Sequence, residues 1–225
     1  MIEIKWPDVR AHSSMFRGKN INKKIHSAGP DRLIRRVFAF EKPSARLALA
    51  GMSFRGSSVS YSQLLDSDLS GAKLEGAVFA GVALQEALFI GANLTGTNLY
   101  RAYLGMANFE YSIARRANFT NAFLANAKLS QVDFSESQFE RAFMEDADLT
   151  GSSFDNADLS RAILRGVNAT NADFSKANLT KAFLIETDFS KALNLTQAQL
   201  DSALGHKETT KIPPNLAYPE HWSAE

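Results

Sequence analysis

The chain has no cysteine among its 225 residues, so neither a disulfide framework nor a thiolate metal site is available to it. Its first residues lack the basic segment and apolar run that together make a secretory signal. No stretch approaches the roughly 18 consecutive apolar residues that a membrane-spanning helix needs. These absences favour a soluble cytoplasmic protein with no membrane partner.

Patterns typical of catalysis or metal binding are also missing. The sequence has four histidines, at His12, His26, His206 and His221. Their spacing is not that of metal ligands. No nucleophile elbow, phosphate-binding loop or glycine-rich dinucleotide fingerprint occurs. We therefore expect no enzyme, no cofactor, no metal and no small-molecule substrate.

The net charge of +1 conceals an uneven distribution along the chain. Residues 1–46 carry eleven Lys and Arg against four Asp and Glu, whereas residues 47–192 carry twelve against sixteen. Residues 193–225 carry two against four. The chain thus has a basic head and a weakly acidic body, which bears on its partners rather than on its fold.

One pattern dominates the body of the sequence. A large apolar residue recurs at every fifth position from Leu49 to Phe189, and the 29 positions hold 15 Leu, 10 Phe and no polar residue. The residue two places earlier is usually Ala or Ser. A stride of five would scatter these residues around an α-helix and place them on alternating faces of a flat strand. The pattern therefore predicts a chain that turns a corner after each unit, so that every large residue faces one interior.

Individual units match a known motif. The segments A-N-L-T-G at 92–96, A-D-L-T-G at 147–151 and A-D-L-S-R at 157–161 resemble the A-[DN]-L-x-x repeat of the pentapeptide-repeat family. The resemblance implies an all-β solenoid, a right-handed quadrilateral β-helix with four units in each coil and about seven coils. It also implies that the large residue and the small residue two places before it point inward, while the other three point outward.

Caps are expected at both ends, because an open solenoid end exposes unpaired strand edges. We assign residues 1–46 to a basic N-terminal segment with a short helix over 29–42, residues 47–192 to the solenoid, and residues 193–225 to a C-terminal helix and a proline-rich tail. The basic residues of the head offer an alternative function, contact with nucleic acid or an acidic partner. They include Lys23, Lys24, Arg32, Arg35 and Arg36.

The sequence LTQAQLDSALG at 195–205 predicts the C-terminal helix. Thr196 is the expected N-cap, and Gln199 three residues on completes a capping box. Gly205 suits the residue after the helix end. Apolar residues of the tail are expected to pack back onto the solenoid: Leu216, Tyr218 and Trp222.

A column of apolar residues is predicted on the outside of one face. With four units in a coil, residues 20 apart stack, and the outward position before the large residue is apolar in five successive coils. We call these five residues the aromatic ladder: Tyr103, Phe123, Phe143, Ile163 and Phe183. At a strand spacing of about 4.8 Å the ladder is about 19 Å long. Along the preceding corner run Arg101, Asn121, Arg141, Arg161 and Lys181.

Soluble monomers seldom leave a continuous apolar strip bare, so we expect something to cover the ladder. Three interpretations are open. The head or tail of the chain lies over it, or it is an interface with a protein partner or a second copy, or it is a tolerated surface stack. The corner cations beside the aromatic side chains are typical of an interface.

Two functional hypotheses follow. The first is a non-catalytic binding or scaffold protein that uses a solenoid face for protein–protein interaction or dimerisation. The alternative comes from the family resemblance: a DNA mimic that binds DNA gyrase or topoisomerase and protects it from quinolone-type inhibitors. For this alternative an edge with acidic residues is relevant: Asp66, Glu86, Asp146 and Glu186.

Overall fold

The chain forms a four-sided β-helix in the computed structural model, which describes residues 48–60 and 63–222. The helix expected at 29–42 and the basic residues of the head lie outside the described residues. Each side of a coil contributes one bridged residue, which pairs in parallel with the residue 20 positions further on, from Ala48–Asp68 to Asp173–Leu193. This register confirms the prediction of four five-residue units in each coil.

The centre residues of the units fill a continuous dry interior. From Leu64 to Phe189 each of them is at most 1% exposed. Their rings stack from coil to coil, as in the pair Phe154 and Phe174, with centroids 5.4 Å apart and an interplanar angle of 5°. Where the small inward position holds Thr97, its hydroxyl donates to a buried backbone carbonyl at 2.7 Å, so the polar atom is satisfied inside the apolar core.

Each corner of the coil is a tight turn. The N–H of the small inward residue donates to the carbonyl of the preceding centre residue, as from Ala102 to Leu99 at 3.0 Å. The residue just before the small one has a positive φ, as in a type II turn. Glycine stands at nine of these corners, including Gly96 with φ 66°, but Met106 and Tyr111 take the same conformation with φ 57° and 61°. The sequence pattern therefore identified the corners, although glycine is not required at every one.

The Asn or Asp of the repeat has a structural role at the outward position. Its side-chain oxygen accepts a hydrogen bond from the backbone N–H two residues on, as from Thr120 to Asn118 at 2.9 Å and from Thr150 to Asp148 at 3.0 Å. That N–H lies at the start of the next corner, so the bond stabilises the turn. An outward residue without an acceptor gives up this stabilisation.

One helix follows the last coil: α1, Gln197–Ser202. Thr196 is its N-cap, and the reciprocal hydrogen bonds with Gln199 confirm the capping box. The prediction that Gly205 directly follows the helix end is wrong, since the helix ends at Ser202. Ala203 is already extended, with φ −95° and ψ 172°, because the chain straightens there to pair Leu204 with Phe183 of the solenoid.

The tail packs against the end of the solenoid, as expected from its apolar residues. Trp222 is only 2% exposed, and its indole N–H donates to the carbonyl of Ala203 at 3.1 Å. Its ring lies against Gly205, where a Cβ would come within 2.6 Å of ring carbons. Gly205 is therefore needed for this close approach and not for a helix stop. Leu216 packs against the core, whereas Tyr218 stays 41% exposed.

Side chains of α1 also close the end of the solenoid. The amide Nε2 of Gln199 donates to the carbonyls of Phe174 and Ala177, each at 2.8 Å. Parallel pairing continues past residue 192 through Leu204 and then Lys211, which pairs with Asp188. Part of the edge that would be left unpaired is thus occupied by the chain itself. Among the described residues, no helix has the length and apolar character needed to cross a membrane.

Candidate protein-interaction face

The structure brings the five residues of the aromatic ladder into one column. Parallel bridges join Tyr103 to Phe123, Phe123 to Phe143, Phe143 to Ile163, and Ile163 to Phe183. A sixth apolar side chain, Leu204, extends the column, since it pairs with Phe183. Sequence reasoning missed Leu204 because it lies 21 residues after Phe183, beyond the last unit of the repeat.

The rings of the ladder lie flat on one another and turn their edges to solvent. The centroids of Tyr103 and Phe123 are 5.2 Å apart with an interplanar angle of 5°, and those of Phe123 and Phe143 are 5.0 Å apart with an angle of 6°. Tyr103 is 46% exposed, Phe123 and Phe143 are 40% exposed, and Phe183 is 42% exposed. The described part of the tail therefore does not cover the ladder, and cover by the head stays a prediction. The head lies outside the described residues.

The ladder face differs from the other three in its hydrogen bonding. Among the described residues it has no Asn or Asp at the outward position, whereas the other faces carry residues such as Asn118, Asp148 and Asp173 there. Phenylalanine and isoleucine have no acceptor for the N–H two residues on. This face thus lacks the side-chain hydrogen bond that supports turns elsewhere, and the other faces show that the fold does not require aromatic residues at the outward position.

A basic edge runs along the corner before the ladder, at exposed positions with φ between 55° and 59°. It consists of Arg101, Arg141, Arg161 and Lys181. Glu140 lies between two of them, with an oxygen 3.6 Å from a guanidinium nitrogen of Arg141 and of Arg161. The side chains of these arginines remain 54% and 47% exposed, so the pairs are weak and the cations are open to a partner.

An acidic edge lines the opposite corner of the same face. It consists of Glu86, Glu145, Asp146 and Glu186, with Asp66 on the same corner one coil before Glu86. Arg165 is set among these carboxylates, 3.2 Å from Glu186 and 3.3 Å from Glu145. Glu186 and then Glu145 raise the pKa of Arg165, because both stabilise its charged form.

The face has the chemistry of a contact surface. Among residues 48–60 and 63–222, no three acidic or histidine side chains are placed to hold a metal ion. The described ionisable groups with shifted pKa values belong to outward ion pairs and turns, such as Glu75 beside Arg55. An apolar column between a basic edge and an acidic edge is a surface that a macromolecule can contact.

A solenoid of stacked coils around a dry interior belongs to the class of repeat proteins in which each unit contacts its neighbours. The chain is a member of the pentapeptide-repeat family: the profile "Pentapeptide repeats" matches overlapping segments from 67–105 to 170–204. Proteins of this family are right-handed quadrilateral β-helices and are generally non-catalytic, and no enzyme family is indicated.

Solved structures of the same fold resemble the chain at low sequence identity. Two trypsin-treated forms of QnrB1, a plasmid-mediated fluoroquinolone resistance protein, are 17% and 16% identical to it, with TM-scores of 0.52 and 0.54. Each alignment covers 78% of this chain, and 91% and 90% of QnrB1. HetL, from the cyanobacterium Nostoc sp. strain PCC 7120, is 20% identical over 76% of this chain and 94% of its own, with a TM-score of 0.25. No curated protein sequence matches. The likeness to QnrB1 shows the fold alone.

Proposed function

We propose that the protein is a non-catalytic binding or scaffold protein that contacts a protein partner through its ladder face. One observation supports this proposal most strongly. Five successive coils present apolar side chains outward in a column where the repeat elsewhere places hydrogen-bonding Asn or Asp, and the aromatic members are at least 40% exposed. A bare strip of this kind is typical of a surface that is buried against another molecule.

The ring geometry favours a protein partner over a nucleic acid. A nucleobase binds an aromatic side chain by stacking on its face, but the faces of Phe123 and Phe143 are already stacked on each other. Only ring edges and the neighbouring aliphatic atoms are available, and these suit packing against apolar side chains. Arginine beside a central aromatic cluster is also typical of protein interfaces.

The extent of the face suits such a contact. With four units in each coil, the 29 units correspond to about seven coils, and the ladder occupies five of them over about 19 Å. A flat, rigid face loses little conformational entropy on binding, since its side chains are already held in stacks.

Paired variants test this proposal. Phe123→Ser with Phe143→Ser removes the centre of the ladder, and Ile113→Ser with Leu193→Ser removes two exposed apolar residues from another face as a matched control. Each variant is immobilised and the amount of partner protein that it retains is measured. We expect the ladder variant to retain about tenfold less than the control variant, as for interface hot spots. Equal binding by both variants would contradict the proposal.

Binding to DNA gyrase, known within the pentapeptide-repeat family, is the second candidate. The acidic corner favours it, with Asp66, Glu86, Asp146 and Glu186 in one column. The column is interrupted by uncharged residues at Met106, Asn126 and Gly166, and Arg165 partly neutralises Glu186. A DNA mimic needs a denser row of negative charge, so this candidate ranks second. A supercoiling assay with and without the protein tests it, and an unchanged rate and drug sensitivity would eliminate it.

A further inference from the structure

We propose that the partner on the ladder face is a second copy of this chain. The two solenoids lie side by side and parallel, with the two-fold axis running along the solenoid direction between the two ladders. This inference rests on the proposed function and names the partner of the same surface. Charge complementarity across the face supports it, together with the levels at which the charges occur.

The two edges of the ladder face carry opposite charge. On the basic edge, four cations accompany one carboxylate, Glu140. Beside the same five coils, the acidic edge has three carboxylates, Glu145, Asp146 and Glu186, and one guanidinium, Arg165. The neutral apolar column lies between them. The charge of the face therefore changes sign across its width. Two copies of the face are electrostatically complementary when the basic edge of one meets the acidic edge of the other.

Only one of the two symmetric face-to-face arrangements achieves this match. A two-fold axis parallel to the solenoid brings the basic edge of each copy against the acidic edge of the other. A two-fold axis across the solenoid makes the copies antiparallel and sets basic edge against basic edge. Like charges facing each other disfavour an interface, so the charges select the parallel arrangement.

The charges also agree in height in two of the five ladder coils, whereas in the coil of Ile163 between them Arg161 would lie opposite Gly166 and Arg165. Arg141 and Asp146 flank Phe143 in the same coil, and Lys181 and Glu186 flank Phe183 in the same coil. In a parallel pair with coils at equal height, Arg141 of each copy lies opposite Asp146 of the other. Lys181 then lies opposite Glu186. Each salt bridge therefore occurs twice by symmetry, once on either side of the paired ladders.

Charge reversal tests partner and orientation together. We expect sedimentation or light scattering to show a monomer–dimer equilibrium over roughly a hundredfold range of chain concentration, as for a small interface. Arg141→Glu should weaken the dimer at least roughly tenfold, and Arg141→Glu combined with Asp146→Arg in one chain should restore it, since the pair is exchanged and not lost. In an antiparallel dimer with the ladders fully overlapped, Arg141 would face Arg141 of the other copy. Arg141→Glu alone would then change association little and Asp146→Arg would restore nothing, which would overturn the proposed orientation.

Cross-linking measures the orientation directly, because the chain has no native cysteine. Ala83 and Leu204 are outward members of the same column, each three coils from Phe143. With a short thiol cross-linker, we expect Ala83→Cys to couple to itself and Leu204→Cys to couple to itself. Coupling only in a mixture of the two variants would identify an antiparallel pair and overturn the proposal.

The outcomes separate this inference from the proposed function. A chain that stays monomeric at every concentration, yet binds other proteins in a ladder-dependent way, overturns the second copy and leaves the proposed function standing. A dimer that Phe123→Ser with Phe143→Ser leaves intact overturns the second copy as the partner of the ladder. Circular dichroism and thermal unfolding of each variant exclude loss of folding as the cause.

Discussion

Aromatic rings stack along the solenoid both inside it and outside it, and one inner stack can be compared with the outer one. In the inner stack, Phe154 and Phe174 have centroids 5.4 Å apart at an angle of 5°. In the outer stack, Phe123 and Phe143 have centroids 5.0 Å apart at an angle of 6°. The inner rings are completely buried, whereas the outer rings are 40% exposed. The same 20-residue register produces both stacks, so geometry does not distinguish them and burial does.

Burial also indicates which of the two stacks the fold requires. Inward centre positions are apolar on all four faces, because any polar group there would be cut off from water. Outward positions are polar on most coils of three faces, and apolar along five coils of one face. The inner stack is thus a condition for folding, while the outer stack is an addition to a fold that other faces form without it. Substitutions in each stack, and in the tail and corners beside them, test this contrast.

The largest expected effect comes from a charge in the inner stack. Phe134→Asp removes a ring that packs against Phe119, Phe139 and Phe154 and buries a carboxylate without a partner. Loss of the ring alone costs about 3–5 kcal/mol, and the unpaired carboxylate adds several more. We expect proteolysis to show an unfolded chain or a rod broken at that coil. Phe143→Asp on the outer stack is the matched control and should stay folded. An intact, protease-resistant Phe134→Asp would refute the shared dry interior.

The tail also has one buried and one exposed aromatic residue, and the expected effects there are smaller. Trp222 is 2% exposed, and its neighbour Tyr218 is 41% exposed, with ring centroids 6.2 Å apart. We expect Trp222→Ala to lower the free energy of unfolding by about 3 kcal/mol, since it opens a cavity beside Ala203 and Gly205. Tyr218→Ala should cost about 1 kcal/mol, chiefly from its hydrogen bond to the carbonyl of Thr210. Urea unfolding measures both, and equal losses would show that the tail does not close the solenoid through Trp222.

Substitutions at two glycines test how the backbone conformation of the corners affects stability, independently of the aromatic stacks. Gly96 stands at a corner with φ 66°, and no atom lies within 4 Å of the place where a Cβ would stand. Gly96→Ala should therefore destabilise by about 1 kcal/mol through backbone strain alone. Gly105 lies beside the ladder outside the left-handed region, and an added Cβ would meet the carbonyl of Ala125 at an ordinary 3.7 Å. Gly105→Ala should stabilise by up to about 1 kcal/mol. Thermal unfolding compares them, and a shift of the same sign in both would contradict this account of the corners.

The outer stack can be exchanged for the hydrogen bond that the other faces use. Phe143→Asn loses ring stacking worth about 1 kcal/mol and gains an acceptor for the N–H of Glu145, worth a similar amount. We expect the stability to change by less than about 1 kcal/mol, while binding through the ladder face is lost. Calorimetry together with a binding assay measures both. A large loss of stability would mean that the fold depends on the ladder.

The smallest expected effect is electrostatic, on the face next to the ladder. The hydroxyl of Ser190 and then the ammonium of Lys211, 3.0 Å away, hold the pKa of Asp188 below its ordinary value. Because the folded pKa is the lower one, the stabilisation is complete above the ordinary pKa of about 3.9 and is lost as the pH falls below it. Half-exposed pairs of this kind contribute a few tenths of a kcal/mol. The free energy of unfolding of Asp188→Asn should therefore fall less between neutral and acid pH than that of the unaltered protein. An identical pH profile for the two would contradict the contribution of Asp188.

Much of the fold and part of the candidate site could be predicted from the sequence. The stride from Leu49 to Phe189 identified the interior, and the 20-residue echo placed Tyr103, Phe123 and Phe143 in one outward column. Thr196 and Gln199 identified the helix start, because a capping box depends on residues three apart. The helix end was predicted wrongly at Gly205, since the contacts that decide it involve Phe183 and Trp222, far away along the chain.

The sequence by itself determined which side chains face inward and which coils stack. A strict stride of five leaves one arrangement in which every large residue is buried and every backbone edge meets another coil. The tertiary structure alone decided that the tail leaves the ladder exposed, that Leu204 lengthens it, and that Glu140 is shared between Arg141 and Arg161. These features depend on distances between side chains brought together only when the coils close, and no local pattern encodes such distances.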